Sequence, residues 1–149
     1  MVDRIVPKTT PAAVSRLHDE TGVLDLAAVF HEPFRQWVIE DHFVENMRPE
    51  LEAVGAQFVL DVEPFEHMKL RMLNGTHSAI AYIGILKGHT TVFEAVSDTD
   101  LSVFLDEMWW EEIIPSLQPP VGVDLHQYAK ALQARLANPG IRHLLDQIA

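Results

Sequence analysis

Polar and apolar positions along this chain fall into short runs whose period changes from one stretch to the next. Thr10-Pro11 offers a capping hydroxyl with a first-turn proline beside it, and Gly22 can close the run, so the pattern predicts a helix over residues 11 to 21. VLDLAAVF (residues 23–30) and FRQWVIED (residues 34–41) are short, rich in Val, Ile and aromatic side chains, and separated by Glu32-Pro33. They predict extended segments that pair as a small sheet. RPELEAVGA predicts a short helix closed by Gly55, and QFVLDV a further extended piece. Pro64 then opens the longest apolar stretch, read as one helix ending near Gly88. Beyond it, residues 90–96, 100–114, 124–136 and 139–149 each carry caps or helical spacing, with Asn138-Pro139 as the start signal of the last. QPPVGVD is the loop with strong breaker chemistry, and no internal repeat or low-complexity tract interrupts the pattern. The expected fold class is mainly α, a single multi-helix domain with a minor short-strand element near the N-terminal third.

Inside the long helix, Lys69, Asn74 and His77 punctuate the apolar run EHMKLRMLNGTHSAIAYIGIL at Lys-x4-Asn-x2-His spacing. On an ideal helix turning about 100° per residue, Lys69 sits at 0°, His77 near 80° and Asn74 near 140°, one arc that a single small polar molecule could touch. A lone histidine in such a place is more often a satisfied core group than a ligand. Lysine, however, is among the residues least often buried, because an unpaired charge in apolar surroundings is costly. Desolvation favours the neutral amine and would make Lys69 a general base for a substrate hydroxyl. Asn74 could then donate its amide N–H to the developing alkoxide while His77 holds a neighbouring hydroxyl, an arrangement suited to oxidation of a polyhydroxylated substrate at a secondary alcohol.

Composition narrows the alternatives. Eleven Lys and Arg against 22 Asp and Glu give a net charge of -11, and the basic residues are scattered, which argues against nucleic acid and anionic lipid as partners. With no cysteine there is no thiolate nucleophile or Cys-ligated zinc, and MVDRIVPKTTP lacks the apolar core of a signal peptide, so a cytoplasmic location is expected. The longest uncharged run, residues 72–86, is too short to span a bilayer. No two of the eight histidines lie three or four residues apart, so no metal site is expected. The carboxylate pairs Glu40-Asp41, Asp106-Glu107 and Glu111-Glu112 read as solvated acidic surface, since neighbours on a helix face apart. Gly84-x-x-x-Gly88 allows close helix packing, its second glycine being more simply a helix terminator.

Lys69-x4-Asn74-x2-His77 within PFEHMKLRMLNGTHSAIAYIG, preceded by EPFRQWVIEDHF and RPELEAVGAQFVLDV and followed by EEIIPSLQPPVGVDL and NPGIRHLLDQIA, resembles the C-terminal domain of the mannitol dehydrogenase family. These are the polyol-specific long-chain dehydrogenases, which include mannitol 2-dehydrogenase and fructuronate reductase. The resemblance implies residues 1–149 as the substrate and catalytic domain of a zinc-independent, NAD- or NADP-linked enzyme. It implies Lys69 as acid/base, Asn74 as the group polarising the reacting oxygen and His77 as a substrate contact. Asp3 would lie near nicotinamide and substrate, though here it is expected at a loose terminus.

Family members begin with a Rossmann domain, whereas no G-x-G-x-x-G occurs in this sequence, and MVDRI resembles the segment by which the family leaves that domain. The Rossmann domain is accordingly expected to be absent, and Met1 to be internal to a longer ancestor. Past Ala149 the family continues into a substrate-binding segment with a basic residue. Gln147 tilts the resemblance toward the hexuronate-reducing branch, whose substrate carboxylate needs a cation. Arg71, Arg142 and His143 are the nearest candidates in sequence.

Alone, the chain is expected to be inactive and to bind no dinucleotide tightly, since alignment of nicotinamide and carbinol comes from the nucleotide fold. Its expected partners are a polyol or sugar acid, and either a separately encoded Rossmann domain or a second copy of itself. Trp109, Trp110 and residues 23–30 are candidates for apolar surface left uncovered, with ordinary core as the simpler reading. A non-catalytic helical assembly module and a sugar-acid binding domain without chemistry are the rival readings.

Overall fold

A computed structural model describes the backbone of residues 1–149 and every side chain except that of Asn46. The fold is mainly helical, with a three-stranded sheet built from the N-terminal third. Strand β1 (Val2–Asp3) runs antiparallel to β2 (Gln36–Glu40), with Asp3 opposite Gln36. β2 runs parallel to β3 (Ala56–Val59), with Val38 opposite Gln57. Between β2 and β3 the chain makes a short 3-10 turn, Leu51–Val54, closed by Gly55 at φ 89°.

Helix α1 (Pro11–Thr21) starts on the Thr10 hydroxyl, which accepts from the Ala13 N–H, and stops at Gly22 in the left-handed conformation, as the pattern predicts. The long helix also forms, but in three joined pieces: α2 (Glu63–Met68), a π-helical turn over Lys69–Asn74, and α3 (Gly75–Leu86). α4 (Val92–Ser97) comes next behind a reciprocal Thr91/Glu94 cap, then α5 (Thr99–Glu107), a second π-helical turn over Met108–Ile113, and α6 (Leu125–Leu136).

Three helical stretches each bury one stripe. Phe65, Met68 and Met72 come from α2 and its π turn, Leu101, Leu105 and Trp109 from α5 and the second π turn, and Leu125, Ala129, Leu132 and Leu136 from α6. These spacings of three, four and seven residues bring every contributor onto one face, where all join a single core with Ile5 and Val38. Gly84 lets α3 approach α4, because a Cβ there would stand 3.1 Å from that of Ala95 and 2.8 Å from Leu145 Cδ1.

Two expected elements are absent. Residues 23–30 form no strand: Asp25 turns the chain by accepting from the Ala27 N–H, and Val23, Leu24, Leu26 and Val29 are 60–80% exposed. Residues 139–149 form no helix beyond the 3-10 turn Leu145–Gln147. The Asn138 side chain accepts from the Gly140 N–H, and the segment then returns beside α4, where Thr91 and Leu144 form an isolated β-bridge. Trp109 is core at 1% exposed, whereas Trp110 lies at the surface and stacks on His126.

Candidate active site

The π turn decides where the polar trio points. Its i→i+5 bonding, seen in the Gly75 N–H reaching the Leu70 carbonyl, widens the turn to roughly 4.4 residues, about 80° each. Five such steps bring Asn74 to within about 50° of Lys69, against about 140° on a regular helix, and three α-helical steps bring His77 to within about 10°. The trio therefore shares a narrower face than the sequence suggests, but it is strung along the helix axis.

Residues 1–5 lie across that face and divide it. Near its start, Met1, Val2, Glu66, Lys69, Leu70 and Asn74 line a cleft of about 360 Å³. Lys69 Nζ donates to the Val2 carbonyl at 2.5 Å. Asn74 is exposed and Lys69 half-buried, so the desolvation expected of Lys69 is not provided by this chain: the amine stands at the mouth of a cleft. Glu66, one turn before Lys69, adds a carboxylate to the same cleft; the three-residue spacing from Lys69 was its signal in sequence.

His77 belongs to a second cavity, shared with Ile5, Arg135, Asn138 and His143. A single cleft touching all three members of the trio is thus not formed here. The His77 ring stands edge-to-face against His143, centroids 5.1 Å apart and planes at 76°. His77 Nε2 and His143 Nδ1 are both buried without a hydrogen-bond partner. Burial, then the neighbouring His143 and Arg135, lower the His77 pKa to about 4 against an opposing pull from Asp3. Burial also lowers that of His143.

Asp3 is not at a loose end. It pairs within the sheet, is fully buried, and receives Arg135 Nη2 at 2.6 Å, Arg135 Nη1 at 3.1 Å and the Tyr128 hydroxyl at 2.6 Å. Glu32, also buried, takes the other side of the same guanidinium at 2.8 Å and accepts the Ile5 N–H at 2.5 Å. The Arg135 plane stacks 3.9 Å over Phe34. Burial opposes the Arg135 charge, yet its bonds to the two carboxylates outweigh that and raise its pKa. Burial, then the Asp3 charge, raises that of Tyr128. In this structure the Asp3 carboxylate supports the site from within. Arg135, Glu32 and Tyr128 were missed in sequence because their partners are distant; the one local sign was an arginine between Leu132 and Leu136 on α6.

Of the residues considered for a substrate carboxylate, Arg71 is exposed and donates to Ser116, and Arg142 lines a separate depression with Lys8 and Arg16. His143 alone neighbours a member of the trio, His77.

Residues 61–149 match the family Mannitol dehydrogenase C-terminal domain, and residues 1–53 the family Mannitol dehydrogenase Rossmann domain. In the structure the two stretches share one core, with Ile5 and Val38 packed among the helices. D-mannonate oxidoreductase of Escherichia coli is 50% identical over 149 residues, which are all of this chain and 30% of that protein. Mannitol 2-dehydrogenase of Aspergillus niger is 47% identical over 151 residues, 99% of this chain and 31% of its own. Among solved structures, Pseudomonas fluorescens mannitol 2-dehydrogenase, in a ternary complex with NAD and D-mannitol, superposes with a TM-score of 0.91 at 43% identity, covering 99% of this chain and 30% of that one. The chain thus spans about a third of the length of these relatives.

Proposed function

The chain belongs to the mannitol dehydrogenase family, a family of NAD-dependent polyol and mannonate dehydrogenases, and from that premise we propose that residues 1–149 form the substrate-binding, catalytic part of such an enzyme. The observation that carries the proposal is the π turn, which sets Lys69 and Asn74 side by side in one cleft.

The amine of Lys69 takes the proton of a secondary hydroxyl as the alcohol is oxidised and returns it to the oxygen when a ketone is reduced. Asn74 donates its amide N–H to that oxygen as charge develops on it. His77 holds a hydroxyl further along the substrate. Bound NAD or NADP supplies the hydride acceptor. The residues described do not fit a dinucleotide phosphate, since the sequence has no glycine-rich phosphate loop, and we assign tight cofactor binding to the part of the relatives' length that this chain does not span.

The substrate class we infer is a hexuronate/aldonate pair such as fructuronate and mannonate, with fructose and mannitol as the alternative. Gln147 and the 50% identity to D-mannonate oxidoreductase support it. Mixing the chain with a separately made nucleotide domain and measuring reduction of fructuronate and fructose tests the proposal. Restored turnover that Lys69→Ala abolishes is expected; restored turnover indifferent to that substitution would refute the assignment of Lys69.

A second reading, a helical assembly module without chemistry, is favoured by the exposed Val23, Leu24, Leu26 and Val29. Co-purification with a full-length relative while the Lys69-dependent assay stays silent would select it.

A further inference from the structure

His143 lines the His77 cavity and belongs to neither the trio nor the buried ion network. Its backbone is fixed at both faces: its carbonyl accepts from the Val92 N–H at 2.9 Å, and its own N–H donates to the Ile141 carbonyl at 2.9 Å. Its ring then has one place to go, against His77. Two neutral imidazoles meeting edge-to-face, each with a ring nitrogen turned inward and unbonded, are an unusual use of buried polar atoms, because such atoms normally find partners.

We propose that His143 is a positioning residue for His77: its ring closes the inner side of the His77 imidazole, so that Nε2 stays inside the protein and Nδ1 is the nitrogen offered to a substrate hydroxyl. Of the two His77 ring nitrogens, Nε2 is the one buried without a partner, which leaves Nδ1 as the nitrogen a ligand could reach. A histidine that must bond one hydroxyl works best in one tautomer, and a ring nitrogen closed off from water has no solvent path by which to exchange its proton. The charged groups around the pair bear on the same point. Asp3 favours an imidazolium at His77, Arg135 and a protonated His143 oppose it, and Glu32 and Tyr128 belong to the network that holds Asp3 and Arg135 in place. Burial decides the balance for the neutral ring.

That Nδ1 faces substrate rests on the function proposed above; the control of His77 by His143 does not, and it can be measured in the chain by itself. Nitrogen-15 NMR of histidine side chains, followed from pH 7.5 to 3.5, reads protonation and tautomer at His77 directly. The wild type is expected to show one neutral tautomer persisting below pH 5. In His143→Ala the tautomers are expected to average and the midpoint to rise by at least about one pH unit toward the ordinary histidine value. His143→Phe, which keeps the ring but carries no nitrogen, is expected to preserve the single tautomer and guards against a loss of fold in the alanine variant. An unchanged His77 in His143→Ala, or a His143→Phe protein that is folded yet as averaged as the alanine variant, would overturn the proposal. If instead the NMR result holds while the reconstituted enzyme ignores Lys69→Ala, the proposed chemistry fails and the coupling of the two histidines stands.

Discussion

Replacing Thr76 by valine tests what holds the π turn open. Thr76 is fully buried; its hydroxyl donates to the Met72 carbonyl at 2.5 Å inside the widened turn and accepts from Trp109 Nε1 at 2.7 Å. Trp109 lies in the second π turn, so the hydroxyl joins the two irregular turns through one atom. Valine keeps the shape but leaves a buried indole N–H without a partner, a loss of about 1–3 kcal/mol. The added methyl returns about 0.8 kcal/mol of apolar burial. A net destabilisation of about 1–2 kcal/mol is expected, read as a lower urea midpoint, or as a drop of roughly 2–4 °C in Tm per kcal/mol for a chain of this size. Trp109→Phe removes the donor instead, and adding it to Thr76→Val relieves the orphaned N–H, so the double variant should be less destabilised than the sum of the singles by about 1 kcal/mol. Thr76→Val within about 0.3 kcal/mol of wild type, or strictly additive single effects, would refute the idea that this hydroxyl pins the turn.

Arg135→Met strands the Asp3 and Glu32 carboxylates in the interior and is expected to cost about 3–5 kcal/mol in urea unfolding, with part of the loss recovered when Asp3→Asn and Glu32→Gln are added. Stability should also fall with acid in a defined window. The folded chain resists protonation of His77 down to about pH 4 while the unfolded chain accepts a proton near 6.5, so the unfolded state binds more protons in between and stability is lost as pH falls from about 6.5 to 4. The full effect is about 3 kcal/mol, and His77→Asn should flatten the urea midpoint across that range. Asp98, held well below the usual carboxylate range by Lys87 and then His89, loses its contribution only at lower pH. Gly84→Ala forces a methyl against Leu145 and Ala95 and is expected to lower stability by about 1–3 kcal/mol, checked by thermal unfolding.

What the sequence disclosed was local. Thr10, Pro11 and Gly22 bound α1 because caps and breakers act within a few residues, and the same holds for Gly55 and Gly88. Residues 23–30 misled because Val, Leu and Phe raise strand propensity whatever surrounds them, and in this chain no partner strand lies beside them. Asn138-Pro139 misled in the same way, its side chain capping a turn rather than a helix. The π turns left no trace in sequence because an extra residue per turn changes the period only where it occurs. Lys69, Asn74 and His77 could be picked out by residue type and spacing; Arg135 and Glu32 could not, since each is explained by a partner 103 or more residues away.

That remoteness sets the order in which the molecule can be made. Asp3 and Arg135 stand 132 residues apart, and closing a loop of that length costs about 4 kcal/mol in chain entropy before any contact rewards it. The helices can fold early from nearby contacts, whereas the segment that lies across Lys69 and His77, though paired with β2, has its buried Asp3 carboxylate without a counter-charge until α6 arrives with its arginine. The finished cleft is therefore a late product of folding. A ligand that recognises the finished cleft would act on the last step of assembly, slowing its reversal without hastening the formation of the helices that precede it.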